Sequence, residues 1–373
     1  MTVKKRILIC PLDWGLGHAS RVAKITKILI KRGHEVILAG SGQSLALLKL
    51  EFPGKSFIPL PSPEIRYDRK IPAWWRILFL APKLIFHIIR EHRVLMNIIR
   101  EHQIDVILSD ARYGLWHAST PSVLVTHQLA PKLPVKCRFM ERFITGINRK
   151  AIKQFTACWI PDYQGVPNLS GRLSHGRRMP ENTRFIGPVS RFEIMEHSHD
   201  LEMKYELVVV ISGPEPQRSV FEELLSGQLA VLPMKSLIVC GRPDRTERIK
   251  ISEFCTSISF LTAEKLLDYL FPARYIICRS GYSGIMDLVS LNKKAFLVPT
   301  PGQTEQEYLA DYLAGNNMFP SCSQEEFDLK KAIAVLEDYH PQYPYSARDL
   351  LSEAIHELEM MTGFSKPTSQ RGQ

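Results

Sequence analysis

Three separated stretches of the sequence hold residue types suited to chemistry on a phosphorylated, hydroxyl-rich substrate. The first is Cys278-Arg-Ser-Gly-Tyr-Ser-Gly-Ile-Met-Asp287. It reads as a buried strand ending at Cys278, a small turn through Ser280, Gly281 and Tyr282, and a helix beginning near Ser283. Free backbone N–H groups and the positive end of a helix dipole favour an anion at such a place, and a diphosphate fits it. Arg279 adds a cation. Asp287, one turn into the helix, is placed to accept hydrogen bonds from ribose hydroxyls. The same residues also describe an ordinary strand-to-helix turn with solvated charges. The second stretch is Pro299-Thr-Pro-Gly-Gln-Thr-Glu-Gln-Glu-Tyr-Leu-Ala310, which follows a strand at Ala295 to Val298. Glu305 and Gln306 offer acceptors and a donor to sugar hydroxyls, or serve only to cap a helix.

The third stretch, Gly15-Leu-Gly-His-Ala-Ser-Arg21, follows the first strand. A dinucleotide fingerprint would have a third glycine where Ser20 stands and an acidic residue closing the second strand, so that reading is disfavoured. His18 is the candidate general base, because an imidazole titrates near neutral pH. A base needs an orienting partner. Asp110, at the end of a strand over 105–109, is one candidate and Asp13 another; Asp110 could equally cap the turn that follows it. His127, after a further strand end, either contacts an acceptor or is a buried structural histidine.

These residues require elements to hold them. Arg6 to Pro11, His34 to Ala39, Asp105 to Leu108 and Ser122 to Thr126 read as strands, with a helix over 20–32. The series restarts at Leu207-Val-Val-Val-Ile-Ser, with strands at Ser236 to Cys240, Ser257 to Phe260, Tyr275 to Cys278 and Ala295 to Val298. Strand–turn–helix–strand repeats of this kind imply two doubly wound, parallel-sheet α/β domains facing each other across a cleft. The first is expected over 1–195 and the second over 204–345, with a polar hinge at 190–203. A helix near 346–361 is expected to cross back onto the first domain, and 363–373 to be disordered. Each of the three stretches follows a candidate strand, and open α/β sheets bind ligands at the carboxyl edge of their strands.

The two later stretches together resemble the nucleotide-sugar site of GT-B glycosyltransferases, including MurG-like enzymes and the UDP-dependent glycosyltransferases of plants and animals. In that resemblance Gly281 and Asp287 match a Gly-x5-Glu/Asp spacing whose carboxylate holds the ribose, and Glu305-Gln306 matches the acidic-Gln pair that holds the donor sugar. The loop Ser212-Gly-Pro-Glu-Pro-Gln-Arg218 stands where the family approaches the donor phosphates, which makes Gly213, Gln217 and Arg218 candidates. Gly15, Gly17 and His18 match the acceptor-side glycine loop and its base, and Asp110 the aspartate beside it. Two departures are Arg279, where plant enzymes have His, and Asp287, one methylene shorter than the usual Glu. The resemblance implies transfer of a hexosyl or N-acetylhexosaminyl group from a UDP-sugar to an acceptor hydroxyl, with inversion. No Asp-x-Asp metal motif appears, and neither a metal nor a cofactor is expected.

Composition is that of a soluble globular protein, 45% hydrophobic and 23% charged. Seven scattered cysteines without a Cys-x-x-Cys pair point to neither disulfides nor zinc, and a cytoplasmic protein is expected. Residues 1–165 carry 26 Lys/Arg against 11 Asp/Glu, a net +15, whereas the remainder carries 22 against 27, a net −5. An anionic partner is therefore expected for the first half alone. From Lys83 a helix would align Lys83, His87, Arg90, Arg93, Asn97 and Arg100, with Leu84, Ile88, Leu95 and Ile99 opposite, just after Trp74 and Trp75. Paired tryptophans beside cations are the composition of a peripheral contact with an anionic membrane through 72–100, where a lipid-linked acceptor would wait. No nucleic-acid motif accompanies the charge. A nucleotide-sugar 2-epimerase of the same architecture and a non-catalytic nucleotide-sugar or polyanion binder are the competing readings.

Overall fold

The computed structural model describes residues 4–13, 16–62, 73–176, 179–192, 201–243 and 245–363. Gly15, part of the expected hinge (193–200) and the tail from 364 lie outside the described residues. In the first half, strands β1 (Arg6–Pro11), β2 (Glu35–Gly40), β3 (Ser56–Pro59), β4 (Val106–Asp110), β5 (Ser122–Val125), β6 (Ala157–Ile160) and β7 (Thr183–Phe185) alternate with helices α1 (Leu16–Lys31), α2 (Gly42–Glu51), α3 (Ala73–His102) and α4 (Glu141–Ile152). The strands form one parallel sheet in the order β3-β2-β1-β4-β5-β6-β7. Runs such as Ile7-Leu8-Ile9-Cys10 are buried throughout because helices cover both faces of a parallel sheet.

The second half repeats the scheme with β8 (Leu207–Val210), α5 (Gln217–Ala230), β9 (Ser236–Val239), β10 (Arg248–Lys250), β11 (Cys255–Ile258), α6 (Ala263–Leu270), β12 (Tyr275–Cys278), α7 (Tyr282–Ser290), β13 (Phe296–Leu297), α8 (Thr304–Gly315) and α9 (Leu329–Glu337). Its sheet runs β10-β11-β9-β8-β12-β13, parallel except for the β10–β11 pair. Strand order reverses between β1 and β4 in one sheet and between β8 and β12 in the other. These switch points open a crevice at the carboxyl ends of the strands, where ligands of such folds bind.

Helix α10 (Leu350–Gly363) belongs by packing to the first sheet. Leu351, Ala354, Ile355 and Leu358 recur on one helical face and join the core formed by Val22, Ile25 and Leu29 of α1. Glu359 on the same helix binds Arg32 at 2.9 Å and His34 at 2.9 Å. Helix α10 therefore returns to the first domain after the second, which is tied to the first on both sides of 207–337.

Helix α3 starts ten residues before Lys83 and runs through Pro82; its side chains are described from Pro82 onward, so those of Trp74 and Trp75 lie outside the description. Leu95 and Ile98 enter the core, but Ile88 is 37% exposed and Ile85, Phe86 and Ile89 stand out further, at 59%, 61% and 47%. The expected opposition of a basic and a buried face thus holds only toward the C-terminal end. Nearer the N-terminal end the apolar side chains emerge among the cations.

Candidate active site

The register Pro11↔Asp110 sets the end of β1 beside the end of β4, and Leu12 N–H donates to the Asp110 carbonyl at 3.0 Å. The chain then turns into α1, whose first turn carries Gly17 and His18. His18 Nδ1 lies 3.2 Å from Asp110 Oδ1. Asp110 is fully buried. Burial opposes its ionisation, but Arg21 and His18 beside it prevail and hold the carboxyl below the usual carboxylate range. Asp13 is turned elsewhere: its Oδ1 accepts the Ser44 N–H at 3.0 Å, at the start of α2.

Arg21 was not singled out in the sequence, although it lies three residues beyond His18 and so on the same helical face. It is buried, donates from Nε to Asp110 Oδ2 at 3.1 Å and from Nη2 to Asp110 Oδ1, and brings Nη2 within 3.1 Å of His18 Nδ1. The only available signal was that i, i+3 spacing. A basic residue inside an otherwise apolar helical face asks for a buried acid.

Across the crevice, the turn after β12 meets this loop. Ser283 Oγ donates to the Gly17 carbonyl at 2.9 Å, and a Cβ at Gly17 would come within 2.8 Å of that hydroxyl, so a side chain there would displace Ser283. Tyr282 is buried, stacks on His127 with ring centroids 4.0 Å apart, and donates to the Pro161 carbonyl at 2.8 Å. Glu305, in the first turn of α8, faces the first domain: His127 Nε2 donates to its Oε1 at 2.6 Å and Gln128 Nε2 to its Oε2. Burial raises the Glu305 pKa, but His127, His18 and Arg21 together outweigh it and hold the carboxyl below the usual carboxylate range. His127 and Glu305, named for different sides of the site, are thus one hydrogen-bonded pair.

The remaining candidates sit around the β8–β12 switch point. Gly213 has a φ of +107°, a conformation that L side chains rarely adopt, and a Cβ there would lie 3.3 Å from Thr300 Oγ1. Thr300 Oγ1 and Gln217 Oε1 are both buried without a hydrogen-bond partner. Unsatisfied buried groups of this kind cost free energy unless a ligand or water completes them. Gln306 Oε1 accepts the Thr300 N–H at 2.9 Å, and Ser280 Oγ donates to the Gln306 carbonyl at 2.8 Å, so the two motif stretches are fastened together. Gly281 is the N-cap of α7, in extended conformation with no side chain over the helix start. Arg218 pairs with Glu215 and donates to the Gly241 carbonyl at 3.1 Å.

Two charged candidates are engaged inside the protein. Arg279 is buried, donates to the carbonyls of Val298, Pro299 and Gln217 and to Gln324 Oε1, and stacks 3.9 Å above the Phe221 ring. Burial pushes its pKa down to about 10. The guanidinium joins the carboxyl ends of β12 and β13 to the start of α5. Asp287 accepts from Ser190 Oγ at 2.8 Å and Arg191 N at 3.1 Å, and pairs with Arg191 Nε at 3.0 Å. Burial raises its pKa against the pull of Arg191. It fastens α7 to the segment that follows β7. Arg191 and Thr300 are further residues that pattern reading passed over: Arg191 lies in the polar stretch read as a hinge, and Thr300 lies near the start of the second motif stretch, where attention fell on Glu305 and Gln306.

Comparison with known proteins agrees with the two-sheet fold. Residues 207–352 match the family model described as the glycosyltransferase family 28 C-terminal domain. An uncharacterized glycosyltransferase of Methanosarcina acetivorans is 23% identical over 317 residues, covering 82% of each chain, and one of Methanosarcina mazei is 23% identical over 322 residues, also covering 82% of each. The fold is similar to that of CalG4, the calicheamicin glycosyltransferase, with a TM-score of 0.61 at 13% identity over 98% of this chain and 100% of that one. It is also similar to MurG of Acinetobacter baumannii, with a TM-score of 0.52 at 12% identity over 98% and 96% of the two chains.

Proposed function

We propose that this chain, a glycosyltransferase of the GT-B fold with a family 28 C-terminal domain at 207–352, transfers a hexosyl or N-acetylhexosaminyl group from a UDP-sugar to an acceptor hydroxyl, inverting the anomeric carbon. The observation that carries the reading is the pairing of His18 with buried Asp110 at one switch point, opposite the α7 N-terminus at the other. The donor diphosphate lies against the N-terminus of α7 and the Gly213 loop, where the buried Thr300 hydroxyl, without a hydrogen-bond partner, can donate to it. The ribose approaches Asp287, and the sugar hydroxyls replace His127 and Gln128 on Glu305, with Gln306 beside them. His18 Nε2 takes the acceptor hydroxyl proton. The oxygen attacks the anomeric carbon from the face opposite the diphosphate, and the bond to UDP breaks with its electron pair leaving on the phosphate. Preorganised N–H groups at the start of α7 stabilise the charge that develops there, so the step requires no metal. UDP release that requires an added acceptor distinguishes this reaction from epimerisation and from mere binding. Release without acceptor, or none with any UDP-sugar and acceptor, contradicts it.

A second part of the proposal is that the first domain rests on an anionic membrane at the cytoplasmic face, where a lipid-linked acceptor is presented. No helix among the described residues is long and apolar enough to cross a membrane. The exposed Ile85, Phe86 and Ile89 of α3 lie among Lys83, Arg90 and Arg93. The adjoining 3-10 helix Val135–Met140 and α4 add Val135, Phe139, Phe143 and Ile147, every fourth residue and 73%, 80%, 68% and 51% exposed, with Lys136, Arg138 and Arg142 between them. Large apolar side chains ringed by cations suit insertion at a headgroup boundary.

A further inference from the structure

The His18–Asp110 pair differs from a plain imidazole–carboxylate dyad, because the carboxylate is already engaged by a cation on both oxygens. Arg21 Nε reaches Oδ2 at 3.1 Å, and Nη2 bonds Oδ1, the oxygen that also faces His18 Nδ1 at 3.2 Å. An arginine side chain donates and never accepts, and its planar fork matches a carboxylate in one orientation. The carboxylate plane is therefore fixed by α1, the same helix that carries His18. Burial of Asp110 would otherwise favour its neutral form.

We infer that Arg21 is a positioning residue of the transfer reaction: its fork holds Asp110 ionised and aimed at His18 Nδ1, so that the lone pair of Nε2 faces the acceptor. This rests on His18 being the base. The positive charge has a second consequence. With Arg21 in place the pair beside His18 is neutral overall, and the imidazolium formed when the acceptor proton is taken is not trapped by an unopposed buried anion. Among the described residues, the charged and titratable groups facing this cluster include His127, from the loop after β5, and Glu305, from α8, which both feel His18 and Arg21 electrostatically, and Arg191, whose Nη1 reaches Ser20 Oγ of α1 at 3.4 Å. Glu305, itself an acceptor bonded to His127 and Gln128, cannot take the place of the Arg21 donors beside Asp110.

Removing the charge at position 21 leaves a buried, net negative histidine–aspartate pair that binds a proton more readily, whichever member carries it. The acid limb of the kcat/KM pH profile should therefore move to higher pH. The experiment compares wild type, Arg21→Gln and Arg21→Lys, each confirmed folded by circular dichroism, with a UDP-sugar and acceptor that the wild type turns over. Arg21→Gln is expected to shift the acid-limb midpoint upward by about one pH unit or more and to lower kcat. Arg21→Lys keeps the charge but loses the fork, so its midpoint should stay while kcat falls at least about tenfold. A residue that merely props up the fold would lower activity in both variants without moving the midpoint. An unmoved midpoint in Arg21→Gln overturns the inference. So does a moved midpoint in Arg21→Lys, which still decides the matter if the neutral variant does not fold. His18→Ala in the same assay tests the base itself: turnover surviving there fails the base assignment, whereas an unmoved midpoint with an inactive His18→Ala fails only Arg21.

Discussion

Replacing Asp110 by Asn perturbs stability and turnover through the same two contacts. The carboxylate is fully buried and bonded to Arg21 through both oxygens. Amide substitution keeps the shape but leaves the guanidinium buried without a counter-ion, a loss of about 3–5 kcal/mol for breaking one side of a buried pair. At roughly 2–4 °C per kcal/mol for a domain of this size, the melting temperature should fall by roughly 6–20 °C. The same change removes the acceptor for His18 Nδ1 and leaves an uncompensated cation 3.1 Å from the ring, so turnover should fall by about 10²–10⁴. The pH dependence has a definite sign. The folded-state pKa of Asp110 lies below its unfolded value of about 3.9, so the unfolded chain binds the extra proton, and the stability this group contributes is complete above that value. The gap in melting temperature between wild type and variant should hold constant from pH 7 to pH 5 and close as pH falls below about 4. Calorimetric melts across that range, with turnover at pH 7, make the test. A variant that melts within about 2 °C of wild type, or turns over at a comparable rate, refutes the proposed buried cluster.

Other perturbations separate binding from architecture. Asp287→Ala should weaken UDP binding by about 1.5–3 kcal/mol for one lost charge-assisted hydrogen bond, read by calorimetry on the folded protein; unchanged affinity removes Asp287 from the ribose site and leaves it as the fastener of Ser190 and Arg191. Reversing Arg90, Arg93 and Arg100 to Glu should abolish sedimentation with anionic vesicles at low salt while the melt is unchanged, since each cation near such a surface contributes about 1 kcal/mol. Wild type that stays in the supernatant at low salt ends the membrane proposal.

The alternation of strands and helices was legible because parallel strands buried on both faces appear as short apolar runs, as in Arg6–Pro11 and Tyr275–Cys278. The strands Ser56–Pro59 and Arg248–Lys250 were not, since they are edge strands with little burial and no clear pattern. The His18–Asp110 contact was a candidate because both residues follow strands and the resemblance sets an aspartate beside the histidine; that β1 and β4 are neighbours, which separates Asp110 from Asp13, was not legible. Pattern reading could place Glu305 and His127 near a cleft but not against each other, because their contact depends on how the two domains meet. Arg279 and Asp287 show the same limit from the other side. The motif marks their positions, but whether each charge faces a ligand or a neighbouring loop is decided by tertiary packing that no local spacing records. The exposed stripe from Val135 to Ile147 escaped notice because an apolar face at helical spacing ordinarily points inward.

The central claim is that His18 deprotonates an acceptor for transfer from a nucleotide sugar. The most direct measurement follows UDP release from a UDP-sugar at saturating acceptor, comparing wild type with His18→Ala, alongside calorimetric binding of UDP to both. Wild type should release UDP only when acceptor is present, and His18→Ala should bind UDP with unchanged affinity while losing about 10²–10⁴ in turnover. Near-wild-type release by His18→Ala, or a loss of UDP binding equal to the loss of turnover, would contradict the account.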